Sequence, residues 1–157
     1  RAKTFDEILT QSHITRILQS SLRNGTFGHA YLFVGTRGAG KTSIARIFAR
    51  AINCEDTEFL KKNGEPCNKC KSCLLALESN HPDVIEMDAA SNRGIEEIRN
   101  LKESIDFVPS IGKYKVYIID EVHMMTKEAF NALLKTLEEP PKHAIFIMCT
   151  TEMYKLP

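Results

Sequence analysis

Three things are scarce in this 157-residue chain: excess charge of either sign, long apolar runs, and repetition. Lysine and arginine number 21 against 20 aspartates and glutamates, a net charge of +1. That balance argues neither for nor against nucleic acid, so any basic patch must come from how the charges are arranged. No apolar run is long enough to span a bilayer, and no secretory apolar core precedes the first structured segment, which points to a cytoplasmic protein with no membrane partner. Internal repeats and low-complexity segments are missing too. What is present, 43% apolar and 26% charged residues, is the composition of one globular domain with a real core. The sequence opens at Arg1 without methionine and stops at Pro157 just after an expected strand, so a fragment of a longer chain is expected.

The most informative stretch is Leu32-Phe-Val-Gly-Thr-Arg-Gly-Ala-Gly-Lys-Thr42. A short apolar strand runs into G-x-x-x-x-G-K-[ST], the P-loop or Walker A pattern, with Gly35, Gly40, Lys41 and Thr42 in the defining places. Glycines at Gly35, Gly38 and Gly40 leave the backbone free to curl and aim successive N–H groups at an anion. Lys41 can reach β- and γ-phosphates, and the Thr42 hydroxyl can take one position on Mg²⁺. The helix expected over 43–52 turns its partly positive end toward the same place.

Upstream, Phe5 to Ile8 reads as a short lead-in helix. Ser12 is then a plausible N-cap for a helix to Asn24 with Ile14, Ile17, Leu18 and Leu22 at helical spacing. These four and His29 read as core, although in P-loop ATPases with such a lead-in they often wall the adenine. Downstream, Cys54, Cys67, Cys70 and Cys73 place four thiols within twenty residues. Four soft thiolates suit a closed tetrahedral Zn²⁺ site, with Asn63-Gly64-Glu65-Pro66 as the turn that brings the segment back. A disulfide is disfavoured in a reducing compartment, and a redox pair would leave two cysteines idle. Cys149, in an apolar strand, reads as a small core residue.

A helix over 72–78, a turn at His81-Pro82 and a strand over 84–88 follow, then the loop Ala89 to Gly94. The next helix sets Ile95, Ile98, Leu101 and Ile105 on one face and Glu96, Glu97, Arg99 and Lys102 on the other. After a loop at Pro109 to Gly112, Lys115-Val-Tyr-Ile-Ile-Asp120-Glu121 is a buried-strand pattern ending in two carboxylates, as a Walker B segment does. Asp120 would help hold Mg²⁺ and Glu121 would polarise the attacking water. Thr126 should cap a helix whose Ala129, Phe130, Leu133, Leu134 and Leu137 face inward, stopped by Pro140-Pro141. The strand Ala144 to Cys149 ends in Thr150-Thr151, where a hydroxyl could sense a γ-phosphate or merely close a strand-end turn. Strands alternating with helices predict an α/β fold, a parallel sheet with helices on both faces and the ligand at the carboxyl ends of the strands.

Together these stretches resemble the AAA+ ATPase modules of the gamma/tau family of bacterial DNA polymerase III clamp loaders, over essentially the whole chain. Five pieces carry the resemblance: His29-Ala-Tyr-Leu-Phe, the four-cysteine insert at about 54–79, Asp88-Ala-Ala-Ser-Asn-Arg-Gly94, Asp120-Glu-Val-His123, and Leu134-Lys-Thr-Leu-Glu-Glu-Pro-Pro141. It implies one nucleotide-binding domain over 1–157, with ATP, Mg²⁺ and Zn²⁺ as cofactors. It also implies ATP hydrolysis in a ring of clamp-loader subunits that opens a sliding clamp and places it on primer–template DNA during replication. The nucleotide would lie along Gly35, Thr36, Arg37, Gly38, Ala39, Gly40, Lys41, Thr42 and Ser43. Lys41, Asp120 and Glu121 would form the hydrolytic centre, with Thr150 or Thr151 as first sensor. Arg93 and the helix after Gly94 match the region that faces DNA, and 133–141 would be core and interface.

Two departures stand out. The spacer from Cys54 to Cys67 is longer than expected of the family. The chain also stops before the Ser-Arg-Cys segment with its trans-acting arginine, the second sensor and the collar. Alone it should bind nucleotide weakly if at all and hydrolyse it poorly, since an arginine finger is worth about 10³–10⁵ in rate. Two rivals differ in kind. An adaptor similar to delta-prime shares the zinc insert but has a degenerate nucleotide site, and another AAA+ DNA-processing machine would lack the cysteine quartet.

Overall fold

A computed structural model describes residues 2–8, 12–36, 40–91 and 95–152, the side chains of Ser12 and Ile95 excepted. A 3₁₀ turn at Phe5–Glu7 precedes α1 (Ser12–Asn24), β1 (Ala30–Val34), α2 (Lys41–Ile52), α3 (Thr57–Asn63) and α4 (Lys71–Leu77). Then come β2 (Val84–Asp88), α5 (Ile95–Ile105), β3 (Lys115–Asp120), α6 (Lys127–Glu138) and β4 (Ala144–Thr150). The four strands pair in parallel in the order β1-β4-β3-β2. Among the described residues no helix is long and apolar enough to cross a membrane.

The unbroken apolar runs of β3 and β4 follow from being covered on both faces. Successive side chains alternate across the sheet. Val116, Ile118, Ile145, Ile147 and Cys149 pack on one side with Leu18 and Leu22 of α1 and Ile44, Ile47 and Phe48 of α2. Tyr117, Ile119, Phe146 and Met148 pack on the other with Ile98, Leu101 and Ile105 of α5 and Ala129, Phe130 and Leu133 of α6. Tyr117 stacks on Phe146 at 5.1 Å between ring centroids, and its hydroxyl meets Ser104 Oγ at 2.9 Å. A buried phenol needs such a partner. The Thr126 hydroxyl caps α6 by accepting from Ala129 N at 3.2 Å.

Several expectations need correction. Ile17 is 54% exposed and Leu134 37% exposed, because a 100° step per residue leaves each at the margin of a stripe centred on Leu18–Leu22 or Phe130–Leu133. His29 is exposed rather than core: it precedes the edge strand β1 and contributes its carbonyl, which accepts from Phe146 N at 2.8 Å. Helix α3 lies inside the polar cysteine spacer, where no apolar period announced it; Asp56 starts it by accepting from Phe59 N at 3.1 Å. The Ser12 cap, Arg37, Gly38, Ala39, Arg93 and Gly94 fall outside the described residues.

The segment between α2 and β2 is tied back to the amino terminus. Gly64 ends α3 at φ 63°, and a Cβ there would lie 2.9 Å from Gln19, so both conformation and space demand glycine. Next to it, buried Glu65 accepts from Phe5 N at 2.7 Å, Asp6 N at 3.1 Å and Gln19 Nε2 at 3.3 Å. From α2, buried Arg50 donates to Asn68 Oδ1 at 2.8 Å and to the Lys3 carbonyl at 2.7 Å. Burial draws the Arg50 pKa below its ordinary value, against the pull of Cys73 and Glu65.

Candidate active site

All the motif residues at strand ends lie at the same, carboxyl end of the sheet. Gly35 follows β1 and its N–H donates to the Thr150 carbonyl at the end of β4, 3.2 Å away. Gly40 stands at the N-cap of α2 at φ 81°, a left-handed conformation that costs a residue with a Cβ about 1–2 kcal/mol. From the first turn of α2, Lys41 Nζ folds back to donate to the carbonyls of Gly35 at 2.8 Å and Thr36 at 2.9 Å. The ammonium is thus held over the loop by weak acceptors that phosphate oxygens can replace. Thr42 Oγ1 donates to Asp120 Oδ2 at 3.0 Å, joining α2 to the tip of β3 across 78 residues of sequence. A hydroxyl beside a carboxylate is a hard-oxygen pair suited to Mg²⁺.

Glu121, one residue beyond β3, adopts φ 53° and ψ 44°. A left-handed glutamate is strained, and such strain collects at functional sites. Its N–H donates to Asp120 Oδ1 at 3.0 Å, so the two neighbouring carboxylates are turned to different work. Thr36, Asp88, Asp120, Glu121, His123 and Glu152 line one open cleft of about 870 Å³, with Thr151 at its wall. His123 joins two of the expected residues: Nδ1 lies 2.9 Å from Thr150 Oγ1 and Nε2 3.3 Å from Glu121 Oε2. Sequence reasoning gave His123 no role; its place in Asp120-Glu-Val-His123 was the only hint. Ser43 lines a second, better enclosed cavity of about 480 Å³, with Arg46, Val84 and Glu86. That cavity's charges are spent on one another, Arg46 clamping Glu86 at 2.6 and 3.1 Å, so the open acidic cleft is the better candidate for chemistry.

Cys149 is fully buried beneath the cleft, and burial, with the Asp120 charge adding to it, pushes its thiol up to about 12. It is an inert core thiol. The other four cysteines gather: the sulfurs of Cys54, Cys67, Cys70 and Cys73 all lie within 4.8 Å of one another. Zn–S bonds of about 2.3 Å place tetrahedral sulfurs about 3.8 Å apart, so a small contraction suffices. Backbone N–H groups already point at the sulfurs, Lys69 N and Cys70 N at Cys67 Sγ (3.4 and 3.2 Å), Cys73 N and Glu55 N at Cys70 Sγ (3.4 Å each). Such donors stabilise thiolates. A hydrogen bond from Cys73 pulls the Cys54 thiol down and pushes the Cys73 thiol up. The donor set and its spacing fit Zn²⁺.

A doubly covered parallel sheet with a P-loop after β1 and an Asp-Glu pair at the tip of β3 defines an AAA+-type P-loop module. Comparison with known proteins narrows this. Residues 10–157 match the family described as DNA polymerase III, delta subunit. The chain is 54% identical over 157 residues to DNA polymerase III subunit tau of Bacillus subtilis, covering 100% of this chain and 27% of that protein. A DNA polymerase III gamma subunit-related protein of Thermotoga maritima has a similar fold, with TM-score 0.61 and 24% identity over 92% of this chain and 40% of that one. So has RuvB of the same organism, with TM-score 0.59 and 16% identity over 100% and 44%. The chain belongs to this family of DNA polymerase III subunits, and in sequence it is similar to tau and gamma subunits of DNA polymerase III. It spans about a quarter of the length of the tau relatives it matches.

Proposed function

We infer that residues 1–157 form the nucleotide-binding domain, with a zinc-binding insert at about 54–79, of a longer clamp-loader subunit. That subunit binds and hydrolyses ATP to load a sliding clamp on primed DNA. The observation that carries this is the Thr42–Asp120 hydrogen bond at 3.0 Å, with Glu121 next to Asp120 in the cleft and Lys41 Nζ held on the Gly35 and Thr36 carbonyls. Backbone N–H groups from Gly35 to Ser43 and the Lys41 ammonium would bind the phosphates. Thr42 and Asp120 would hold Mg²⁺, which would offset charge on the β- and γ-oxygens. Glu121 would take a proton from the attacking water, and Thr150 would face the γ-phosphate. Cys54, Cys67, Cys70 and Cys73 would hold Zn²⁺, whose binding supplies folding free energy to a segment with little core of its own. The partners on this reading are the other subunits of a hetero-oligomeric ring, the sliding clamp and primer–template DNA, in the cytoplasm. On this reading the isolated domain hydrolyses ATP poorly, because a trans-acting arginine would come from a neighbouring subunit of the ring.

The test is Lys41→Ala in the full-length protein within its assembled loader. Removing one preorganised cation should lower DNA-stimulated ATP hydrolysis by about 10²-fold or more. Unchanged hydrolysis would end the ATPase reading. The family's delta-subunit description keeps one rival in view, an adaptor that never turns over nucleotide; a full-length chain that binds no ATP would favour it.

A further inference from the structure

His123 has both ring nitrogens committed. Nδ1 lies 2.9 Å from Thr150 Oγ1, while Nε2 lies 3.3 Å from Glu121 Oε2 and 3.9 Å from Glu152 Oε2. The side chain is 6% exposed, so water offers it little else. A neutral imidazole has one donor and one acceptor nitrogen. A carboxylate oxygen of Glu121 accepts, so in the neutral ring Nε2 carries the hydrogen. Nδ1 therefore accepts, and the Thr150 hydroxyl must donate to it. The Thr150 oxygen fits that role: it already accepts from Glu152 N at 3.1 Å, which leaves its own hydrogen for the ring.

Resting on the ATPase reading above, we propose that His123 is a positioning residue, a two-ended latch coupling the Thr150 hydroxyl to the Glu121 carboxylate. Thr150 has one hydrogen to give. In the structure it goes to His123, whose other end holds Glu121 toward the ring. A γ-phosphate oxygen arriving at the end of β4 competes for the same hydrogen. Once it wins, Nδ1 is left buried without a donor, an arrangement that is costly enough to make the ring turn. As the ring turns, its hold on Glu121 goes with it, and the carboxylate is freed toward the water. A diphosphate has no γ-oxygen, so with ADP the latch stays closed. The device ties release of the base to the presence of the bond it is to cleave. Its placement agrees: the Thr150 carbonyl also anchors Gly35 N, so the γ-phosphate sensor and the start of the phosphate loop move as one.

The experiment is a double-mutant cycle in the full-length protein within its assembled loader, comparing Thr150→Val, His123→Ala and the pair. The Kd for ATP and the Kd for ADP are both read. Opening the latch opposes ATP alone, so His123→Ala should tighten ATP relative to ADP about tenfold when Thr150 is present and less than about twofold beside Thr150→Val, which has already broken the latch. His123→Gln, whose amide offers one donor and one acceptor group, should restore much of the Thr150 dependence. Should truncation to alanine unfold the protein, His123→Phe fills the volume without the nitrogens and takes its place in the cycle. Equal Thr150→Val effects in both backgrounds would overturn the latch while leaving Lys41-dependent hydrolysis, and so the ATPase reading, intact. A wild-type loader without Lys41-dependent hydrolysis would sink both.

Discussion

Asp83 precedes β2 and is fully buried, yet it stays charged. Its carboxylate accepts from Ser110 N at 2.6 Å, Ile111 N at 2.8 Å and Gly112 N at 2.7 Å. Burial works to raise its pKa, but those three donors, with His81 adding to them, outweigh it and leave the carboxyl below its ordinary value. A depressed acid contributes stability above its unfolded pKa of about 3.9, and that contribution is lost as pH falls through the folded value. Asp83→Asn puts an amide donor against N–H groups, so it should cost about 2–4 kcal/mol at pH 7. The difference should shrink as pH falls below about 3.9, where the unfolded chain takes up the proton before the folded one does. Urea unfolding at pH 7 and pH 3 checks this, and a difference that does not change with pH would refute the charge-based account.

At the level of elements, the cysteine segment acts as a brace. Glu65, Asn68 and Arg50 fix residues 3–6, and Arg50 belongs to the helix that begins at the phosphate loop. Disrupting the proposed metal site with Cys67→Ser should therefore loosen the amino-terminal turn before it touches the sheet. Hydrogen exchange at the amides of Phe5 and Asp6, which donate to Glu65, should quicken by about tenfold or more, while β3 and β4 stay protected. Unchanged protection at those two amides would show that the brace does not need its metal.

The strands and the cysteine quartet were legible in the sequence because each is written locally, in unbroken apolar runs and in C-x-x-C spacing. The brace was not, since Glu65 and Phe5 are sixty residues apart and nothing local pairs them. Nor was the margin of a helical stripe at Ile17 or Leu134, which depends on what the neighbouring element covers. His123 was hidden for the same reason. Its part becomes visible only when the tips of β3 and β4 are set side by side.

Across the whole molecule, the two ends of the sheet differ in kind. The carboxyl ends carry polar groups around a cleft, whereas the loop before β3, at the amino ends, shows Phe107 at 69%, Val108 at 71% and Ile111 at 47% exposure. Such a loop could be dismissed as frayed, but Asp83 grips its backbone at three consecutive amides, and Asn53 Oδ1 accepts from Lys113 N and Tyr114 N at 3.0 Å each. Apolar side chains held rigidly toward solvent mark a protein contact. If the sliding clamp proposed above is that partner, truncating Phe107 and Val108 together to alanine in the full-length loader should weaken clamp binding about 30-fold or more, the range of a small hot spot. Strands of five to seven residues rise about 3.3 Å each, so about 20 Å separates this loop from the cleft, and the Kd for ATP should not change. If clamp affinity holds while ring assembly fails, the patch packs between subunits instead. Either way the geometry has a consequence: a partner at the amino ends and a nucleotide at the carboxyl ends would communicate through the elements that run between them. Of these, β3 runs from the gripped loop to Asp120 and is the direct path.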